Sequence, residues 1–311
     1  MSKRGGEFDF IAQHLKPLAT HSGARSLADD VALLDPNWVV SKDMLIAGVH
    51  FRPDDPADLI ARKALRVNLS DLAGKGAVPF GYFLGCAFPN NCDEKWRSAF
   101  VNGLDEDQAL FGLSLLGGDT VATPGPLTFS VTMVGKLVGR VPARSNAKIG
   151  DDIWVSGTLG DAALGLHESR DSFLRQRYLL PQPRIELGKA LHGLINASMD
   201  VSDGLLADAA HIATASAARL SLDIERLPLS TAVQEIVVRD DSKWQMVVSG
   251  GDDYEILFTA SPNNRSEIVE AAEQSQTAVS RIGGVVSGTG LTLLGAAAKF
   301  IDPSNAGYQH L

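Results

Sequence analysis

Residues 196–213 read NASMDVSDGLLADAAHIA, a short apolar run that ends in Asp-Val-Ser-Asp-Gly and passes into a helical pattern. Leu205, Leu206, Ala209, Ala210 and Ile212 recur at helical spacing, so the stretch predicts strand, turn, helix. Ser202 or Asp203 can cap such a helix, and a carboxylate there suits the positive end of its dipole. The closely spaced Asp200, Asp203 and Asp208 are equally a set of hard oxygen ligands. The choice between caps and ligands turns on the rest of the chain.

Working outward, VALLD (31–35) and WVVSKDMLI (38–46) read as two strands joined at the turn signal DPN. Pro56 to Ala77 is helical in pattern, with Leu59, Ile60, Ala64, Leu65 and Val67 on one face. FGYFLGCAF (80–88) reads as a buried strand, residues 93–112 as a helix, LSLLGGDT (113–120) as a strand ending in a tight turn, and PLTFSVTMVGKLV (126–138) as a further strand. Pro, Gly and small polar residues in GRVPARSNAKIGDD (139–152) mark a connection, which places two domains at 1–140 and 141–311. Strand, glycine turn and helix recur beyond it, in DIWVSGTLGDAALGLHE (152–168) and WQMVVSGGDDYEILFTA (244–260). Strands alternating with helices give an α/β (α+β) class. A faint echo links VNLSDLAGKGA with MDVSDGLLADAA, each putting Ser-Asp before a helix, and LLGGDT with SGGDDYE, so a two-fold internal repeat is one reading.

Composition narrows the function. The 311 residues carry 28 basic and 37 acidic side chains, net charge −9, which argues against a general nucleic-acid surface or an anionic membrane as partner. No apolar run approaches a bilayer span, and MSKRGGEFDFIAQHL lacks a secretory apolar region, so the expected location is cytoplasmic. Cys86 and Cys92 are too few for a disulfide framework and have no zinc-ligand spacing.

Carboxylates recur at the ends of apolar runs: Asp29 and Asp30, Asp43, Asp71, Asp119, Asp200 and Asp203, Asp252 and Asp253. Strand ends at one edge of a sheet face one crevice, and convergent carboxylates repel unless divalent cations sit among them. Capping accounts poorly for Asp43, Asp119 and Asp252, where no helix clearly begins. Oxygen donors without a His or Cys cluster favour magnesium, and magnesium points to phosphate chemistry. AGKGA lacks the upstream glycine and following Ser or Thr of a Walker A loop, and no kinase catalytic loop or Asp-Phe-Gly triplet occurs. GTLGDAALG reads as a tight turn rather than a dinucleotide fingerprint. What remains is metal-assisted phosphoryl transfer outside those families.

GEFDFIAQHL, ADDVALL, SKDMLIAGVHF, ARKALRVNLSDLAGKGAVP, LLGGDT, ARSNAKIGDDIWVSGTLGDAALGL, PQPR, MDVSDGL and SGGDDYEILF resemble, in order and spacing, the thiamine-monophosphate kinase family, within the superfamily of aminoimidazole ribonucleotide synthetase. The resemblance implies an N-terminal α/β domain that binds ATP and metal and forms a homodimer through its sheet, and a C-terminal α/β domain. It implies Mg2+ held by Asp30, Ser41, Asp43, Asp71, Asp119, Asp200 and Asp203, with Asp43, Asp71 and Asp119 serving catalysis through the metal. It implies ATP contacts at Gly118, Asp119, Arg144 and Ser202, and a thiamine-monophosphate site at His50, Asp252, Glu255 and Tyr308. A phosphate monoester acceptor, with its second pKa near 6, needs no general base, and a Tyr308 ring could stack on a cationic thiazolium.

Two positions depart from the family pattern. Lys42 stands where Thr is usual, and an ammonium cannot ligate a dication, so a ligand there is expected to be lost or supplied by backbone oxygen. Val101, beside Phe100, stands where an aromatic is common. Selenophosphate synthetase and the hydrogenase maturation protein would each show a reactive cysteine that is absent here. Aminoimidazole ribonucleotide synthetase and a non-catalytic nucleotide- or thiamine-phosphate-binding protein are the competing readings.

Overall fold

The computed structural model describes residues 7–35, 37–169 and 172–307. Its first sheet is built from β1 (Ala32–Asp35), β2 (Trp38–Ile46), β3 (Ala77–Pro89), β4 (Leu115–Thr123) and β5 (Thr128–Leu137), in the order β1-β2-β5-β3-β4. Only β3 and β4 run parallel. The second contains β6 (Asp152–Ser156), β7 (Ala197–Asp200), β8 (Arg219–Asp223), β9 (Ile256–Ala260), β10 (Val279–Val286) and β11 (Gly290–Leu294), in the order β11-β8-β10-β6-β9-β7. Here β8 and β11 are the parallel pair. Both sheets are mixed, so the class is α+β in detail.

Alternation decides the faces of the first sheet. Ser41 and Leu45 on β2, Tyr82, Leu84 and Cys86 on β3, and Phe129, Val131 and Met133 on β5 are buried. They lie beneath the helices Ala57–Gly74 and Glu94–Phe111, whose Phe100 stacks on Phe129 with centroids 4.5 Å apart. Each of the Leu, Val, Phe and Met side chains among them stabilises the fold by about 1.5–3 kcal/mol. The opposite face shows Met44, Phe80 and Phe83 about half exposed, as are Leu115 and Val121 on the edge strand β4.

The helix Ala57–Gly74 is buried over most of its surface because the second half of the chain closes over the side that the sheet leaves free. Such burial explains why its polar residues are paired: Arg66 donates to Asp107 Oδ2 at 2.6 Å and Oδ1 at 2.9 Å, and to the Pro181 carbonyl at 2.9 Å.

Several sequence expectations change in the fold. The run at LSLLGGDT does not stop in a turn: β4 continues through Gly117, Gly118 and Asp119 to Thr123, held by parallel pairing with β3. Asp71 lies in the last turn of the helix Ala57–Gly74, not at a strand end or before a helix. The echoed segments therefore occupy different contexts, one Gly-Gly-Asp inside a strand and the other in the loop before β9. Glu7–Leu18, whose sequence reads as a short amphipathic helix, is one α-turn followed by π and 3-10 turns.

Candidate active site

The strand–turn–helix of the opening stretch forms as β7, the loop 201–204 and the helix Leu205–Ala215. Leu205, Leu206, Ala209 and Ile212 are buried as expected, while Ala210 is half-buried. Neither Ser202 nor Asp203 caps the helix: Gly204 is the N-cap, with no side-chain cap bond. Asp208 does that work from one turn inside, its Oδ2 accepting the N–H of Ser202 at 3.1 Å and of Gly204 at 3.2 Å. Asp200 is thereby left to the interior and Asp203 to the cavity wall.

Two glycines let this loop meet the Gly-Gly-Asp-Asp loop. Gly204 has φ +119° and Gly251 φ +71°, and a Cβ at Gly251 would stand 2.6 Å from the Ser202 carbonyl oxygen. The contact is fixed by the N–H groups of Asp252 and Tyr254, which donate to the carbonyls of Ser202 and Val201, each at 2.8 Å. Asp252 and Tyr254 themselves have φ of 63° and 50°, conformations that persist only where the surroundings enforce them and that concentrate at functional sites.

Carboxylates from four segments converge beside these loops. One oxygen each of Asp30, Asp71 and Asp200 lie within 4.8 Å of one another. Ser41 donates its hydroxyl proton to Asp71, and Asn68 Oδ1 accepts the N–H of Asp43 at 3.1 Å. Asp30 is held by Arg144 and by Lys75, whose ammonium lies 2.6 Å from its Oδ2, 2.7 Å from Asp29 and 2.5 Å from the Ser198 carbonyl.

Electrostatics divides the cluster. Burial opposes ionisation of Asp30, but the charges of Lys75 and Arg144 outweigh it and hold its pKa below the usual carboxylate value. In the others the opposing influences, Lys42 on Asp43, Ser70 and Arg144 on Asp200 and Ser41 on Asp71, are the weaker ones. Burial, with the negative charges of Asp30 and Asp203 added, raises Asp43 to about 6. Burial and the charge of Asp30 raise Asp200 to about 7. Asp71 is raised well above the ordinary range by burial and by Asp43, Asp200 and Asp30. An all-oxygen donor set carrying more negative charge than its surroundings balance fits a hard dication such as Mg2+.

The cluster opens on a cavity of about 540 Å³ along β2, walled by Asp43, Asp71, Asp200, Ser202, Asp203 and Asp252 and by His50, Lys63, Tyr178 and Tyr254. The Lys63 ammonium lies 3.6 Å over the Tyr178 ring and 2.9 Å from Asp252, whose other oxygen accepts the Tyr254 hydroxyl at 3.0 Å. His50 is fixed through Nδ1, which accepts the Ile46 N–H at 3.0 Å. A second cavity, about 500 Å³, lies behind Lys75 with Arg140, Lys148 and His192 in its wall; it contains none of the expected site residues.

Several expected residues fall elsewhere. Glu255 is fully buried and turned from the cavity, bound by Ser156 at 2.6 Å, Arg177 at 2.8 Å and Arg184 at 2.5 and 2.7 Å, so its carboxylate anchors the second domain. Glu255 ends the loop just before β9, within reach of two guanidinium groups of its own domain, whereas Tyr254 stays at the cavity. Gly118 and Asp119 stand on β4, three strands from β2 in the same sheet, which is about 14 Å at ordinary strand spacing. Asp119 is exposed and accepts only its neighbour's N–H from Thr120 at 2.8 Å among the described residues. Tyr308 lies outside the described residues.

Lys42 displaces no oxygen of the cluster, and its charge partly offsets that of Asp43. It occupies the opposite face of β2 from Ser41 and Asp43, and its ammonium donates to Ser130 Oγ at 2.6 Å. Val101 is exposed, while Phe100 is a core residue. Sequence reasoning missed Lys63, Lys75, Asn68 and Tyr254. For the first three the available signal was the polar residues Lys63, Arg66, Asn68 and Ser70, with Lys75 at the C-cap, among otherwise apolar buried positions of the helix.

Comparison with known proteins bears on the family and the fold. Residues 28–137 match the model for the AIR synthase related protein N-terminal domain, and 148–295 that for the C-terminal domain. The thiamine-monophosphate kinase of Caulobacter vibrioides is 43% identical, the match covering 98% of this chain and 90% of the relative. That of Escherichia coli K12 is 40% identical over 85% of each. Among solved structures, thiamine-monophosphate kinase from Stenotrophomonas maltophilia superposes with TM-score 0.78 at 37% identity, covering 94% of this chain and 98% of that one. AaThiL complexed with AMPPCP and TMP superposes with TM-score 0.85 at 28% identity, covering 98% and 97%.

Proposed function

This chain belongs to the thiamine-monophosphate kinase family, and from that premise we propose that it transfers the γ-phosphoryl group of ATP directly to the phosphate of thiamine monophosphate with the help of Mg2+. The observation that carries the proposal is the grouping of Asp30 with Asp71 and Asp200 behind a cavity that Asp43, Asp71 and Asp200 line, and whose other wall presents His50, Asp252 and Lys63. The structural relative holding AMPPCP and TMP supports the pair of substrates.

In this reading an oxygen of the acceptor phosphate forms a bond to the γ-phosphorus while the bond to the β,γ-bridging oxygen breaks, releasing ADP and thiamine diphosphate. The acceptor is already ionised near neutral pH, so no side chain has to remove a proton. Asp30, Ser41, Asp43, Asp71, Asp200 and Asp203 would hold Mg2+ here. When bound, Mg2+ supplies charge neutralisation and alignment of the two phosphate groups. Arg144 and Lys75 hold Asp30 ionised and oriented. Ser202 and Arg144 serve ATP, and His50 and Asp252 serve the acceptor, with Lys63 fixing the Asp252 carboxylate.

The chain acts as a homodimer, with residues 1–140 as the ATP, metal and dimerisation domain and 141–311 as its partner domain. The half-exposed apolar face of the first sheet is the surface such a dimer would cover. Gly118 and Asp119, remote from the cluster of their own chain, would then serve the site of a second copy.

The test is incubation with Mg2+, ATP and thiamine monophosphate, following thiamine diphosphate by chromatography, with free thiamine as control acceptor. Wild type should form product from the monophosphate only, and Asp71→Asn should remain folded without turnover. Absence of product from wild type, or undiminished turnover by the variant, would overturn the reading.

A further inference from the structure

One oxygen each of Asp203 and Asp208 and a ring nitrogen of His211 lie within 4.8 Å of one another, a grouping separate from Asp30, Asp71 and Asp200. Asp208 and His211 are three residues apart on the helix Leu205–Ala215, so they project from one face. Asp208 is only 1% exposed. Its Oδ2 is engaged by two backbone N–H groups, while its Oδ1 is buried with no hydrogen-bond partner.

A carboxylate oriented by two donors on one oxygen and left bare on the other carries a desolvation cost that a cation would remove. Arg144, whose charge also acts on Asp208, gives its hydrogen bond to Asp30 instead. The His211 imidazole is packed against Phe8, with ring centroids 4.7 Å apart, so a ligand ring is already held in place.

We propose that Asp203, Asp208 and His211 form a second cation site that takes a first-row transition dication of the Mn2+ class. An imidazole beside two carboxylates suits a first-row transition dication, of which Mn2+ tolerates the most oxygen, whereas Mg2+ prefers oxygen donors alone. Asp203 lines the substrate cavity, so the bound ion would sit at its edge. The proposal does not depend on the kinase reading, because occupancy is measured without nucleotide or turnover.

The experiment is titration of the full chain with Mn2+ followed by electron paramagnetic resonance, with pulsed detection of nitrogen coupling to the ion. Wild type should show imidazole nitrogen coupling that survives Asp71→Asn and His50→Ala and disappears in His211→Ala. Asp208→Asn keeps an acceptor for the two backbone donors and removes the anionic ligand, so Mn2+ affinity should fall roughly tenfold or more. No nitrogen coupling in wild type, coupling that persists in His211→Ala, or coupling lost only in His50→Ala would overturn the proposal. Should His211→Ala not fold, unchanged affinity in Asp208→Asn would overturn it alone.

Discussion

Replacing Asp200 by Asn should stabilise the metal-free protein while removing its response to Mg2+. Asp200 is buried at the end of β7, and burial with the charge of Asp30 moves its carboxyl from the ordinary 3.8 to about 7. For a carboxyl whose pKa is raised on folding, no penalty exists below the ordinary value, and the full penalty applies above the raised one. Wild type without metal should therefore lose stability as pH climbs from about 4 to about 7, and the variant should lose less. Each tenfold step costs about 1.4 kcal/mol, so the penalty at pH 8 is on the order of 4 kcal/mol. At roughly 2–4 °C per kcal/mol, that predicts a melting temperature higher by about 8–16 °C at most, less where neighbouring carboxyls share protons. The assay is thermal denaturation in EDTA and in Mg2+ at pH 5 and pH 8. Wild type should gain from Mg2+ at pH 8, and Asp200→Asn should gain much less. A variant that melts at or below wild type in EDTA at pH 8, or an equal gain from Mg2+, would refute the reasoning.

Mixing inactive Asp71→Asn with inactive Asp119→Asn, followed by subunit exchange, should restore about a quarter of wild-type turnover, since half the dimers are mixed and each has one intact site; no recovery after proven exchange would place Asp119 outside the site. Gly251→Ala would force a Cβ against the Ser202 carbonyl at φ +71°, so it should cost about 1–3 kcal/mol and raise the KM for thiamine monophosphate, measured by denaturation and initial rates. Asp107→Asn should destabilise by about 3–5 kcal/mol because it strands the buried Arg66 guanidinium, which urea denaturation would register. Among surface changes, Val101→Ala should leave stability within about 0.5 kcal/mol, as its side chain is exposed.

The two domains' element types and most of the acidic set were legible in the chain because they rest on local rules. The alternation in WVVSKDMLI sets which side chains of β2 face inward, and the stripe from Leu205 to Ile212 sets the helix that follows Asp200. Family motifs then named the chemistry. What only the tertiary structure decided was the grouping of side chains remote in sequence. Asp30, Asp71 and Asp200 meet because the helix Ala57–Gly74 is clamped between the two halves, and no local periodicity encodes that closure. For the same reason Asp208 became the backbone-capping carboxylate rather than Ser202 or Asp203, and Glu255 went to an arginine cluster rather than the cavity. Asp119 shows the converse case: its motif reads plainly in sequence, yet its position follows from strand order, which is fixed by long-range pairing. Sequence supplies the propensities and the charges, whereas the energy of bringing like charges together is set by three-dimensional proximity and loss of water.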